Sequence, residues 1–227
     1  MKYLSRNKVY EKVKAQKDAK KIYIFCEGEV KEIKYFEYFI GFSSNIDIIP
    51  IKNEDHKSDP LKLKEHAENK FFSENPQYEL SKDFKDEVWF VIDTDRWNEG
   101  NKIEQLKDFC TSKNDKYKAW YLVQSNPSFE IWLYYHFFET SPIPSEVDKY
   151  LSFKEFVNMS IKGGFDNRSM PIELETAIKN SMLNFGISNN QPQLFSTDVH
   201  LLAKVILPFV KEELDRAKQM MAKNRDF

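Results

Sequence analysis

The chain has 227 residues, of which 41% are hydrophobic and 31% charged, a balance typical of a globular protein rather than a disordered one. This length allows one sizeable core, or one core with a smaller helical appendage. No apolar run approaches the roughly 20 residues of a membrane helix, and the N-terminus lacks an apolar secretory core. We therefore expect no membrane association and no export, and the net charge of −2 argues against a protein coated in basic charge.

Basic residues are concentrated at the N-terminus, where lysine and arginine outnumber the two acids Glu11 and Asp18. We interpret residues 1–20 as a basic arm. Such an arm can contact phosphates, and it can equally be a solvated terminus with no partner. The sequence leaves both possibilities open.

The chain has only two cysteines, Cys26 and Cys110, and each falls within a predicted strand or helix. Buried free thiols in a reducing compartment fit this placement better than a disulfide does. The sequence therefore predicts a cytoplasmic protein.

Strand and helix patterns alternate between residues 21 and 140. Four segments have the apolar composition of strands: Ile22–Cys26, Ile46–Ile51, Glu87–Asp95 and Lys118–Gln124. Helical spacing of apolar residues follows each strand, beginning at Val30, Asp59-Pro60, about Ile103 and Phe129. Such alternation predicts an α/β fold with a mostly parallel four-stranded sheet flanked by helices.

Strand patterns stop after Ser141–Pro144. Three helical segments are predicted beyond it, separated by Gly163-Gly164 and by the polar loop Gly186–Pro192: Glu146–Ile161, Pro171–Leu183 and Thr197–Lys223. The predicted organisation is therefore a basic arm at 1–20, an α/β domain at 21–140 and a helical C-terminal region at 141–227.

The third strand, EVWFVIDTD, ends in two carboxylates, Asp93 and Asp95. Its apolar part does not alternate with polar residues, which is typical of a strand buried on both faces. Residues two apart in a strand point to the same side, and sites in open α/β sheets form at the carboxyl ends of strands. Oxygen ligands of this kind suit Mg²⁺. The alternative is that two aspartates simply begin a polar loop.

Other acids follow neighbouring elements. Glu27 comes directly after the first strand, Glu32 lies five residues later, and Glu130 lies in the first turn of an otherwise apolar helix. Acids gathered at one edge of a sheet repel one another unless a cation neutralises them. Glu130 can instead stabilise its helix N-terminus, and Glu32 can be a solvent-facing helix acid.

The sequence lacks the motifs that mark several other kinds of site. The four histidines have no metal-ligand spacing, which argues against zinc. The chain has neither a P-loop for nucleotide triphosphates nor a G-x-S-x-G serine elbow.

Three blocks together resemble the RloB-like family, which has a Toprim-type catalytic fold related to OLD-family nucleases. These blocks are CEGEVKEIKYFEYF, VWFVIDTDRW and SNPSFEIWLYYHFFE. Toprim domains bind divalent metal through a Glu after the first strand and a D-x-D after the third, which implies Glu27, Asp93 and Asp95 as metal ligands and catalytic residues. OLD-type nucleases add acids for a second metal, and Glu32 and Glu130 match these by position. Lys31 departs from the family, which usually has threonine there.

The resemblance implies a Mg²⁺- or Mn²⁺-dependent nuclease that cleaves DNA or RNA, with Glu27, Asp93, Asp95 and Glu130 as catalytic residues. It also implies a role as the effector of a phage-defence system and an SMC- or ABC-type ATPase partner. One alternative is a non-catalytic subunit that docks such an ATPase. Another is a glycosyltransferase that uses the two aspartates to bind a nucleotide-sugar metal, although this leaves Glu27 without a role.

Overall fold

The computed structural model describes residues 12–28, 30–52, 59–94, 100–114 and 117–223. The strands are β1 (Lys20–Cys26), β2 (Ile46–Ile51), β3 (Glu87–Asp93), β4 (Trp120–Asn126), β5 (Ile187–Ser188), β6 (Gln191–Pro192) and β7 (Ser196–Thr197). The helices are α1 (Lys31–Glu37), α2 (Pro60–Phe72), α3 (Lys102–Lys113), α4 (Glu130–Tyr134), α5 (Pro144–Val147), α6 (Phe153–Ser160), α7 (Leu174–Leu183) and α8 (His200–Lys223), with a 3-10 turn at Met170–Glu173.

Five strands form the main sheet, in the order β2-β1-β3-β4-β7. The first four are mutually parallel, and β7 pairs with β4 in the antiparallel sense. The chain runs outward from β1 to β2 and then crosses back over β1 to β3. In a doubly wound sheet this reversal places the topological switch point between β1 and β3, where ligands bind at the carboxyl ends of the strands.

The sheet is covered on both faces, so its central strands are apolar throughout. Ile22, Ile24 and Cys26 of β1 pack in one core cluster with α1, α4, α7 and α8. Tyr23 and Phe25, the intervening residues, pack in a second cluster with α2 and α3. This distribution agrees with right-handed crossovers, because α1 connects β1 to β2 in one direction across the sheet, whereas α2 and α3 connect strands that are added in the opposite direction.

The predicted α/β class and mostly parallel sheet are confirmed, but the predicted count of four strands is wrong. The fifth strand, β7, comes from the region predicted to be helical. It consists of only two residues, and both are polar. A segment this short has no periodicity for sequence analysis to detect. It is a strand because its backbone pairs with Ser125 and Asn126 at the open edge of β4.

One predicted helix and one predicted loop of the C-terminal region also differ from the structure. The predicted helix Glu146–Ile161 is two helices, because the Ser152 side chain accepts a hydrogen bond from Glu155 N and starts α6 anew. The loop predicted at Gly186–Pro192 contains the β5–β6 hairpin. Residues of α7 and α8 share a core cluster with β1, so this region packs directly on the sheet.

The described part of the basic arm lies along the loop before β2. Val13 N donates to Gly41 O at 2.8 Å and Gln16 N donates to Ser44 O at 2.8 Å. These residues precede β1 and so lie at the amino edge of the sheet. Residues 1–11 of the predicted arm lie outside the described residues.

Both cysteines are buried and free, as predicted. Among the described residues, no helix combines the length and apolarity that crossing a membrane requires.

Candidate metal centre at the carboxyl edge of the sheet

Glu27 and Asp93 meet at the switch point between β1 and β3. Glu27 N donates to Val91 O at 2.9 Å, which extends the pairing of the two strands by one residue. The Asp93 N–H then donates to Glu27 Oε2 at 2.9 Å. Both carboxylates are largely buried, with exposures of 7% and 8%. The parallel register of adjacent strands therefore brings together two acids that lie far apart in the sequence.

Asp93 also holds the start of α4. Its Oδ1 accepts a hydrogen bond from Phe129 N at 2.8 Å. Phe129 and Trp132 are only 1% and 0% exposed, so the helix that carries Glu130 packs firmly in the core beside the acids. The Asn126–Pro127 peptide bond immediately before this helix is cis.

Glu130 is almost completely buried and already has a cation beside it. Its Oε1 accepts from Lys31 Nζ at 2.9 Å, and its Oε2 accepts from Ser128 Oγ at 2.7 Å. Burial favours the protonated acid, but the hydrogen bonds from Ser128 and Lys31 and the charges of Lys154 and Lys31 outweigh it. The pKa of Glu130 is therefore lowered. Lys31 is thus the ion-pair partner of Glu130.

Glu32 is buried at the start of α1, which excludes the solvent-facing alternative for this residue. The turn glycine makes room for it, because a Cβ atom on Gly28 would lie only 1.9 Å from Glu32 Oε2. Burial is the largest influence on its pKa, and the charge of Glu130 adds to it. Lys154 and Lys31 oppose this shift only partly, so the pKa of Glu32 is raised.

The acids act on one another electrostatically. The pKa of Asp93 is raised well above its ordinary value, first by burial and then by the negative charges of Glu27, Glu32 and Glu130, in that order. Lys154 acts in the opposite direction. Four predicted site residues therefore form one mutually repelling cluster, which is the electrostatic condition that a bound cation relieves.

The fifth predicted ligand, Asp95, lies outside the described residues. Within the ranges that the structure describes, no group of three or more His, Cys, Asp or Glu side chains is arranged to hold a metal ion. Carboxylate oxygens such as these are hard donors, a type of ligand that Mg²⁺ and Mn²⁺ accept.

His136 of the described chain lies near this cluster and makes hydrogen-bond contacts inside the core. His136 Nε2 lies 3.0 Å from Tyr35 Oη, and its Nδ1 lies 3.0 Å from Trp132 O. Burial lowers the pKa of His136 to about 3, so the ring is neutral. Its two nitrogens satisfy polar atoms inside the core.

Sequence reasoning missed Lys154 of α6, whose charge acts on Asp93, Glu32 and Glu130. Lys154 also lines a small cavity with Lys31 and Glu130. Nothing in the sequence marks it, because it is one of 34 lysines and arginines and lies in a different predicted region from the acids. Only the packing of α6 against α4 brings it to the cluster.

Comparison with curated proteins and with solved structures found no match. The family model described as RloB-like protein matches residues 22–206. The matched region runs from β1 into α8 and includes Glu27, Asp93 and Glu130. Because the match covers most of the chain, this protein belongs to the RloB-like family.

Proposed function

We propose that the chain is a divalent-metal-dependent nuclease with a Toprim-like core. The observation that carries the proposal is the contact between Glu27 and Asp93 at the β1–β3 switch point, within a cluster of buried acids. The Toprim resemblance implies a Glu after the first strand and a pair of aspartates at the end of the third, and here Glu27 follows β1 and Asp93 is the last residue of β3.

Glu27 and Asp93 are the residues that would hold the ion, with Asp95 as the predicted third ligand. When bound, Mg²⁺ or Mn²⁺ polarises a phosphodiester and lowers the pKa of a water molecule. The protein holds Asp93 in place from two sides, because its N–H donates to Glu27 and its Oδ1 accepts from Phe129 N. Such fixed carboxylates orient a reacting group without reorganisation during the reaction.

Lys31 and Lys154 add positive charge beside the acidic edge of the sheet. Lys31 has a side chain that is 51% exposed, so its ammonium reaches Glu130 while part of it still meets solvent. A nucleic acid phosphate approaching the cluster would otherwise meet only negative charge. The two lysines would lower that repulsion and position the phosphate.

The direct test is incubation of the purified chain with plasmid DNA and with RNA, with and without Mn²⁺ or Mg²⁺. We expect cleavage that requires the metal and disappears in Asp93→Ala and Glu27→Gln, while both variants remain folded by circular dichroism. Wild-type cleavage by Asp93→Ala would show that the catalytic assignment is wrong.

The charge on Glu130 can be tested separately with Glu130→Gln, which keeps its size and one acceptor oxygen and replaces the other oxygen with an NH2 donor. If Glu130 serves a metal ion, this variant needs more Mg²⁺ for half-maximal cleavage and recovers activity at high concentration. If it only stabilises Lys31 and the helix end, its Mg²⁺ dependence matches that of the wild type.

A second candidate function is a subunit that docks an SMC- or ABC-type ATPase. The observation that favours it is apolar exposure in the C-terminal region, where Leu151, Met159 and Leu183 are 96%, 64% and 63% exposed. Exposed apolar side chains of this kind are available for contact with a partner protein. Co-expression with such an ATPase should give a complex with wild type, and Leu151→Ser with Met159→Ser should lose the complex without losing any cleavage activity.

A further inference from the structure

A polar cavity of about 520 Å³ lies beside the acid cluster. Its described lining includes hydroxyl and amide side chains and no charged residue. The polar residues are Thr94, Asn126, Ser188, Asn189, Gln191 and Gln193. The volume falls within the range of small-molecule sites in proteins, which is roughly 300–1,000 Å³.

One wall of the cavity is attached to the backbone that carries Asp93. Thr94 follows Asp93 directly, and its N–H donates to Ser125 O at 2.8 Å. Its hydroxyl accepts from Gln124 Nε2 at 2.8 Å in a buried hydrogen bond. The cavity therefore begins one residue beyond the candidate metal ligand.

The opposite wall is the β5–β6 hairpin, which is held at two points. Its two-residue turn, Asn189-Asn190, has φ angles of 51° and 60°, the left-handed conformation of a tight hairpin turn. Asn126 Nδ2 donates to Pro192 O at 2.8 Å, and Lys107 Nζ donates to Asn190 O at 2.6 Å. One contact comes from the end of β4 and the other from α3. The hairpin is thus a fixed wall above the sheet edge.

The described lining offers hydrogen-bonding side chains of the kind that recognise bases. Asn and Gln amides both donate and accept hydrogen bonds, as the edges of bases require. Ser188 and Gln191 are cross-strand partners, so they share a face of the hairpin and line the cavity together.

We propose that this cavity is a base-binding subsite, which holds one unpaired base of a nucleic acid strand whose phosphate lies at the acid cluster. The inference deepens the proposed nuclease function and rests on it for the position of the phosphate. A base inside the cavity cannot remain stacked in a duplex, so the substrate at this point is single-stranded or has an extruded base.

The test is binding of fluorescent single-stranded DNA and RNA 12-mers by anisotropy, in Ca²⁺ so that a cation is present at the acids, with the intact length of each strand checked on a gel. Each is compared with an abasic 12-mer of the same backbone. We expect the base-containing strand to bind the wild type about 5- to 10-fold more tightly, as expected for a few neutral hydrogen bonds. The double variant Ser188→Ala with Gln191→Met, which changes the cross-strand pair that lines the cavity, should lose most of this difference without weakening abasic binding.

Gln77→Met is the matched control for the glutamine, because it makes the same chemical change on an exposed residue in the loop before β3. It should bind both strands as the wild type does. Equal binding of base-containing and abasic strands by the wild type, undetectable binding of both, or unchanged preference in the double variant would each overturn the subsite.

Cleavage assays in Mg²⁺ separate this inference from the nuclease proposal. If the protein prefers the base-containing strand but does not cleave, the subsite is supported and the nuclease proposal is refuted. If the protein cleaves both strands equally and shows no preference in binding, the nuclease proposal is supported and the subsite is refuted.

Discussion

Replacing Lys31 with methionine removes the cation beside Glu130 and keeps most of the side-chain volume. The Glu130 side chain is only 4% exposed, so the variant leaves a buried carboxylate with Ser128 as its remaining hydrogen-bond donor. Breaking a fully buried ion pair costs about 3–5 kcal/mol. The Lys31 side chain is 51% exposed, and solvent screening reduces this cost to about 1–2 kcal/mol.

The cost should depend on pH in a defined direction. In the wild type the pKa of Glu130 is lowered from its ordinary value of 4.5, so its stabilising contribution is present above that pH. This contribution is lost as the pH falls through the lowered pKa. The variant lacks the Lys31 contacts, and its Glu130 takes up a proton at higher pH. The difference in unfolding free energy between the two proteins is therefore greatest near neutral pH and shrinks below pH 4.5.

The assay is urea denaturation of both proteins at pH 7.5 and at pH 4, followed by circular dichroism. Lys34→Met is the matched control, because it removes an exposed lysine from the same helix. Mg²⁺ should also raise the melting temperature of Lys31→Met more than that of the wild type, since the ion replaces the missing positive charge. Equal stability of the Lys31→Met and Lys34→Met variants at both pH values would refute the argument that Lys31 stabilises Glu130.

Three further changes test the neighbourhood of the cluster. Asp93→Asn keeps an acceptor for Phe129 N and removes one repelling charge, so without metal its melting temperature should rise by about 2–4 °C; a fall would contradict the repulsion. Gly28→Ala should displace the Glu32 carboxylate, which a changed Mg²⁺ requirement for cleavage would report. Burial raises the pKa of Asp198 from 3.8 to about 6, so its ionisation costs the folded state about 3 kcal/mol. As the pH rises from about 4 to 6, the wild type should lose this amount of unfolding free energy, because Asp198 ionises in the unfolded chain first. Asp198→Asn should not lose it, and urea unfolding at several pH values across this range measures the difference.

The amino-acid sequence by itself determined the α/β class and the central strands. Uninterrupted apolar runs such as Val88–Ile92 indicate strands buried on both faces, and the structure has them so. The Asp59-Pro60 start of α2 is also local information, since the Asp59 side chain accepts from Leu61 N within one turn. Patterns that depend on neighbouring residues can be recognised without knowledge of the fold.

The acids of the site were also recognisable in sequence, because each lies at the end of a predicted strand or the start of a helix. Their type and position led to Glu27, Glu32, Asp93 and Glu130, and the structure places all four in one electrostatic cluster. Their roles in metal binding and catalysis remain predictions.

Only the tertiary structure decided which residues neutralise and surround these acids. Lys31 lies 99 positions from Glu130 in sequence, and β7 joins the sheet through the backbone of β4. Lys154 acts on the acids from a helix that sequence analysis assigned to another region. Contacts of this kind leave no periodic trace, because ion pairs and edge-strand pairing require only that two surfaces be brought together by packing elsewhere in the chain.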